Sequence, residues 1–68
     1  MSHDELFDLV DSADVHFETL RAALYCASDS HDDGDVEGSR RQRVTARESA
    51  IVARERLDTI IKGLGADS

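Results

Sequence analysis

The residues able to do chemistry are three histidines, one cysteine, an acidic run and a cluster of arginines. Asp29-x-His31-x-Asp33-Gly34 has the opening spacing of a calcium loop, with glycine in the sixth position. Such a loop closes on a bidentate Glu at its twelfth position. Here that position is Arg40, a cation aimed at the ion, and His31 replaces an oxygen ligand. The segment therefore reads as an acidic, solvated turn. His3, His16 and His31 lie too far apart for any two to share a helical turn, so they form no zinc set. His16 falls beside an apolar seam and reads as a boundary residue. Cys26 has no basic partner at helical spacing, so a half-buried small side chain is expected rather than a reactive thiol. Asp32 and Asp33 sit on the turn with nothing to desolvate them and shift their acidity. No catalytic residue, metal ligand or cofactor is expected, and the chain reads as no enzyme. Two helices enclose no pocket of substrate size.

The arginines are the one real cluster: Arg40, Arg41, Arg43, Arg47, Arg54 and Arg56. Arg40, Arg43, Arg47 and Arg54 share one broad helical face, with Val44 and Ile51 between them. Arginines make bidentate anchors for carboxylates and phosphates alike. Nucleic acid is disfavoured as the ligand. The chain is acidic overall, five acids directly precede the cluster, and no aromatics are interleaved. A helix-turn-helix also needs a short turn and a third helix. Two readings stand: the arginines balance an acidic first helix, or they hold an acidic patch on a protein partner.

The elements that must position these groups are two helices. Leu6, Val10, Ala13, Phe17, Leu20, Leu24 and Ala27 recur at spacings of three and four, the signature of a helical seam. Ser2-His3-Asp4-Glu5 is a capping box, which starts the first helix near residue 3. The expected elements are helix 1 over 3–28, an acidic loop over 29–38 and helix 2 over 39–63. Ser39-Arg40-Arg41-Gln42 is a second possible box. The second seam is Ala46, Ala50, Ala53, Leu57, Ile60, Ile61 and Leu64. Leu20, Leu24, Leu57, Ile60 and Ile61 are expected to hold the fold. Gly63 and Gly65 are expected to cap the second helix, and residues 66–68 to fray. Glu18 with Arg21, and Asp58 with Lys62, have ion-pair spacing.

The fold class is thus all-α, a two-helix antiparallel hairpin in a single domain of 68 residues. Such a core is thin. No disulfide can support it, because Cys26 is the only cysteine. Phe7 and Leu9 lie off the first seam, and Val44, Ile51 and Val52 off the second. Each helix therefore has more apolar surface than one neighbour can cover, so a homodimer forming a four-helix bundle is expected. Residues 1–27 hold six acids and one base, whereas residues 38–62 hold seven bases and three acids. That asymmetry favours antiparallel packing within or between chains. No signal peptide is visible, and no apolar run approaches the roughly 18 residues that span a bilayer. A soluble cytoplasmic protein without membrane contact is the expectation.

The heptad seam Leu6 to Ala27, the acidic turn Asp29 to Glu37 and the segment Ser39-Arg40-Arg41-Gln42-Arg43 together resemble small phage-encoded proteins that disable a bacterial host protein. These include anti-CRISPR proteins and an anti-quorum-sensing type built as a dimer of helical hairpins. The resemblance implies a non-enzymatic inhibitor that binds a cytosolic protein such as a bacterial transcription activator. It transfers no functional residue. From the residues themselves, Arg40, Arg41, Arg43, Val44, Arg47 and Ile51 are the expected partner contacts. Leu6, Val10, Phe17, Leu20, Leu24, Leu57, Ile60, Ile61 and Leu64 are the expected core and dimer residues. Two alternatives remain: a nucleic-acid-binding regulator or antitoxin, and a chaperone-like or structural subunit of a hetero-complex.

Overall fold

The computed structural model describes residues 1–65. Two helices of 30 residues, α1 (His3–Asp32) and α2 (Val36–Gly65), pack against each other as an antiparallel hairpin. The molecule is a rod of 51 × 14 × 12 Å. The expected fraying of residues 66–68 lies outside the described residues. Neither helix is long and apolar enough to cross a membrane.

Helix α1 begins where its capping signal places it. Ser2 is extended, and its Oγ accepts the Glu5 backbone N–H at 3.2 Å. Asp4 and Glu5 occupy the first turn, where the helix dipole favours negative charge. The other end differs from expectation. The loop is not 29–38 but the three residues Asp33–Asp35. Gly34, at φ +81°, is the reason. Its N–H donates to the His31 carbonyl at 3.1 Å, and the Asp35 N–H donates to the Ser30 carbonyl at 2.8 Å. This pair of bonds is a Schellman stop with glycine in the left-handed position. The acidic residues before it are thereby held in helix.

Asp35 ends one helix and starts the next. Its Oδ1 accepts the Gly38 N–H at 2.9 Å, and its carbonyl accepts the Ser39 N–H at 3.0 Å. Asp35 is therefore the cap of α2, not Ser39, which is buried within the helix. A side chain at Gly34 meets nothing within 4 Å, so its φ alone decides what fits there. Gly34→Ala should destabilise the hairpin by about 1 kcal/mol in thermal melts, and Gly34→Asn by less, since Asn tolerates this conformation better. Equal losses for both would show that the left-handed backbone is not the cause.

The packed seam keeps Leu6, Ala13, Leu20, Ala27, Ala46, Ala53 and Ile60 of the expected one, but its second row is shifted by one position. On α1 the inward positions are Leu6, Leu9, Ala13, His16, Leu20, Ala23 and Ala27. On α2 they are Ser39, Gln42, Ala46, Ser49, Ala53, Arg56, Ile60 and Gly63. Both runs keep three-four spacing, so both are heptad seams. They are made largely of small residues, and Ala53 is the deepest at 1 % exposure. Small side chains let helices approach closely. The large apolar residues pointed to by the sequence lie beside this seam and stay exposed: Val10, Phe17, Leu24, Leu57, Ile61 and Leu64. Of the expected core, only Leu6 is buried, while Leu20 and Ile60 are half-buried. No large side chain is fully buried among the described residues.

Gly63 and Gly65 do not cap α2; both are helical, and Gly34 is the one glycine of positive φ among the described residues. Gly63 instead makes room for the chain start. A Cβ there would lie 2.9 Å from Met1 Sδ and 3.3 Å from Leu6 Cδ2. The spacings Glu18–Arg21 and Asp58–Lys62 do not produce ion pairs. No ion pair forms among the described residues. Among the described residues, the one side-chain bond between the helices is Arg56 Nε donating to Ser12 Oγ at 3.2 Å.

Candidate functional site

The heptad arrangement gives the rod two unlike long faces. One carries Ser12, Arg56 and the hydroxyls of Thr19, Thr45 and Thr59. Each threonine donates to the carbonyl four residues before it, so its hydroxyl is satisfied within its own helix. The opposite face carries the exposed Val10, Phe17 and Leu24 of α1 beside Arg43, Ala50, Leu57 and Leu64 of α2. This is the face the apolar periodicity marks. It looks outward rather than at the neighbouring helix.

That face changes character along its length. At the end holding the chain termini it is apolar. His3, Leu6, Phe7, Val10, Ile60 and Leu64 line one open depression of about 300 Å³. A second, of about 240 Å³, runs on through Phe17 and Leu57 with Asp11 and Asp14 at its edge. At the loop end the face is basic. Arg40, Arg43 and Arg47 line a depression of about 550 Å³ with Val36, Val44, Ser39 and His31.

The basic end is built by the first four turns of α2. Spacings of three and four residues bring Arg40, Arg43 and Arg47 onto one side of it. Val44 sits between them, and α1 contributes His31 from its last turn. All three arginines are exposed, and their guanidiniums take part in no ion pair or hydrogen bond among the described residues. They form no close ion pair with α1, whose acids are likewise unpaired among the described residues. All three lie beyond the first turn of α2, which holds the acidic Glu37. Their placement leaves three guanidiniums free to meet an external anion.

The sequence-expected contacts are thus only partly brought together. Arg40, Arg43, Val44 and Arg47 converge, whereas Arg41 and Ile51 lie outside the depression. Ile51 is half-buried rather than an exposed anchor. Arg54 also lies outside, and Arg56 is tied to Ser12. Val36 and His31 join the converging arginines because the turn is only three residues long, a shortness that composition does not signal. No protein-family model matches the chain, and neither curated proteins nor solved structures give a match.

The remaining chemistry-bearing groups do not assemble. Asp29 and His31 belong to the last turns of α1, so they radiate from a helix rather than line a loop. Among the described residues no three His, Cys, Asp or Glu side chains cluster as metal ligands. His16 is a seam residue, half-buried between the helices. Cys26 is exposed, not half-buried as expected.

Proposed function

We propose that the chain is a non-enzymatic protein-binding module: a homodimer of hairpins, joined as a four-helix bundle, that binds and inhibits or sequesters a cytosolic protein such as a bacterial transcription activator. The observation that carries this reading is the set of free arginines Arg40, Arg43 and Arg47 around the exposed Val36 and Val44. Guanidiniums interleaved with apolar side chains suit a protein surface, where Arg anchors pair with acids and the valines exclude water. A purely electrostatic nucleic-acid contact has no use for the valines.

The test is capture of a partner by the tagged full chain from nuclease-treated bacterial lysate, compared with the R40E/R43E/R47E variant. The parent should retain one stoichiometric protein, and the variant should lose it by 100-fold or more in affinity, of the order of three lost charge-assisted contacts. The variant should keep its helicity by circular dichroism, because the three arginine side chains are exposed and lie outside the packed seam. Capture that survives the charge reversal would overturn this assignment. Steeply salt-dependent DNA binding by the parent would favour the regulator reading instead.

A further inference from the structure

We propose that the second copy covers only the terminal half of the open face, so that the two hairpins overlap tail to tail with their loops pointing apart. This rests on the homodimer reading and adds where the copies meet. The apolar half within the overlap consists of Phe7, Val10, Leu57, Ile60, Ile61 and Leu64, with His3 at its edge; Phe7 is 67 % and Ile61 66 % exposed. With side chains of this size, half of their surface amounts to roughly 500 Å² per copy. Two such patches bury about 1,000 Å², which reaches the lower bound for a specific interface. A lone hairpin has no fully buried large side chain to replace that burial.

Charge selects among the ways to stack two copies. Full overlap with both loops at the same end sets Arg21, Arg40, Arg43 and Arg47 of one copy beside the same residues of the other. Like charges at close quarters disfavour that arrangement. Full overlap with the loops at opposite ends lays these arginines on Phe7, Val10, Leu57 and Leu64, which desolvates cations against apolar surface. Overlap of the terminal halves alone sets apolar on apolar. It brings Phe7 against the second copy's Val10 and Leu57 against the second copy's Leu64, with Ile61 near the twofold axis. It also brings His3 level with the second copy's Asp14. Both basic ends are left in solvent, where a partner can reach them.

The arrangement has a length. Each hairpin is 51 Å long. An overlap of about 14 residues at about 1.5 Å each gives a dimer about 80 Å long. Either full overlap leaves a particle little longer than one hairpin. Small-angle X-ray scattering of the full chain, with mass from sedimentation, separates these cases. In parallel, Ile61→Cys in a Cys26→Ser background should form a disulfide-linked dimer under mild oxidation, and Val36→Cys in the same background should not. A dimer near 80 Å that cross-links through position 61 supports the proposal. A dimer near 50–60 Å, or one cross-linked through position 36, overturns the placement while leaving the homodimer intact. A monomer that keeps its helicity at all concentrations overturns the placement and the homodimer together. Partner capture is scored separately by the arginine variant.

Discussion

Ala53→Leu is expected to be the most damaging single substitution in the chain. Ala53 is 1 % exposed on the seam between the helices, in a row with Ala46 and Ser49. A leucine there needs room that close-packed helices do not have, and overpacking of this kind costs about 1–3 kcal/mol. Small domains have little stability to lose, so the change should remove much of the folded population. Urea melts followed by circular dichroism would measure it. Ala22→Leu is the matched control, because Ala22 is exposed on α1 and the same replacement there should shift stability by less than about 0.5 kcal/mol. If both variants melted alike, the small-residue seam would not be the contact that holds the hairpin.

Leu57→Asp should act differently, by separating the two copies of the proposed dimer. Leu57 is 41 % exposed at the rim of the seam, on the open apolar face. An aspartate there can remain solvated in a single hairpin but not against a second apolar surface. Sedimentation should give the monomer mass at concentrations where the parent is dimeric. Helicity should fall with dilution more steeply than in the parent, since a lone hairpin lacks the second burial. Ile61→Asp should do the same, and Val44→Asp should leave the mass unchanged. A dimer that tolerates Leu57→Asp would exclude this face from self-association.

The sequence makes the helix number, the start of α1 and the presence of the turn legible, because each is set locally. Ser2 and Glu5 mark a helix start whatever surrounds them, and Gly34 with its acidic neighbours marks a break. The length of the turn is not legible from composition. Asp29, Ser30, Asp32 and Asp33 have turn chemistry, but the Schellman bonds at Gly34 satisfy the carbonyls that would otherwise fray. Hydrophobic periodicity locates only half of the hairpin's own contact: Leu6, Ala13, Leu20 and Ala27 face it as expected, but the second row is shifted by one position. Val10, Phe17 and Leu24 outweigh Leu9, His16 and Ala23 in apolar character, so the pattern follows them. Proximity obeys a different rule: helices meet most closely where side chains are smallest. Ser39, Ser49 and Gly63, at heptad spacing with Ala46 and Ala53, carried that second signal. Gly63 was open to two readings, a helix stop or a close approach, and only the position of Met1 and Leu6 distinguishes them. The arginine cluster was legible as a group but not as free charge, since nothing in the spacing of Glu18 and Arg21 says that a pair at that distance will stay apart.

The offset between the small-residue seam and the open face has a consequence for how such a chain can change. The residues that fold the hairpin and the residues that meet other molecules occupy different heptad positions, and none of the three arginines that carry the proposed contact packs in the seam. Substitutions at positions 40, 43, 44 and 47 therefore leave the scaffold untouched. The scaffold in turn fixes the spacing of whatever is placed there. A rod of this kind can exchange one binding preference for another through a few surface replacements, while its seam of alanines, serines and glycine resists nearly every change.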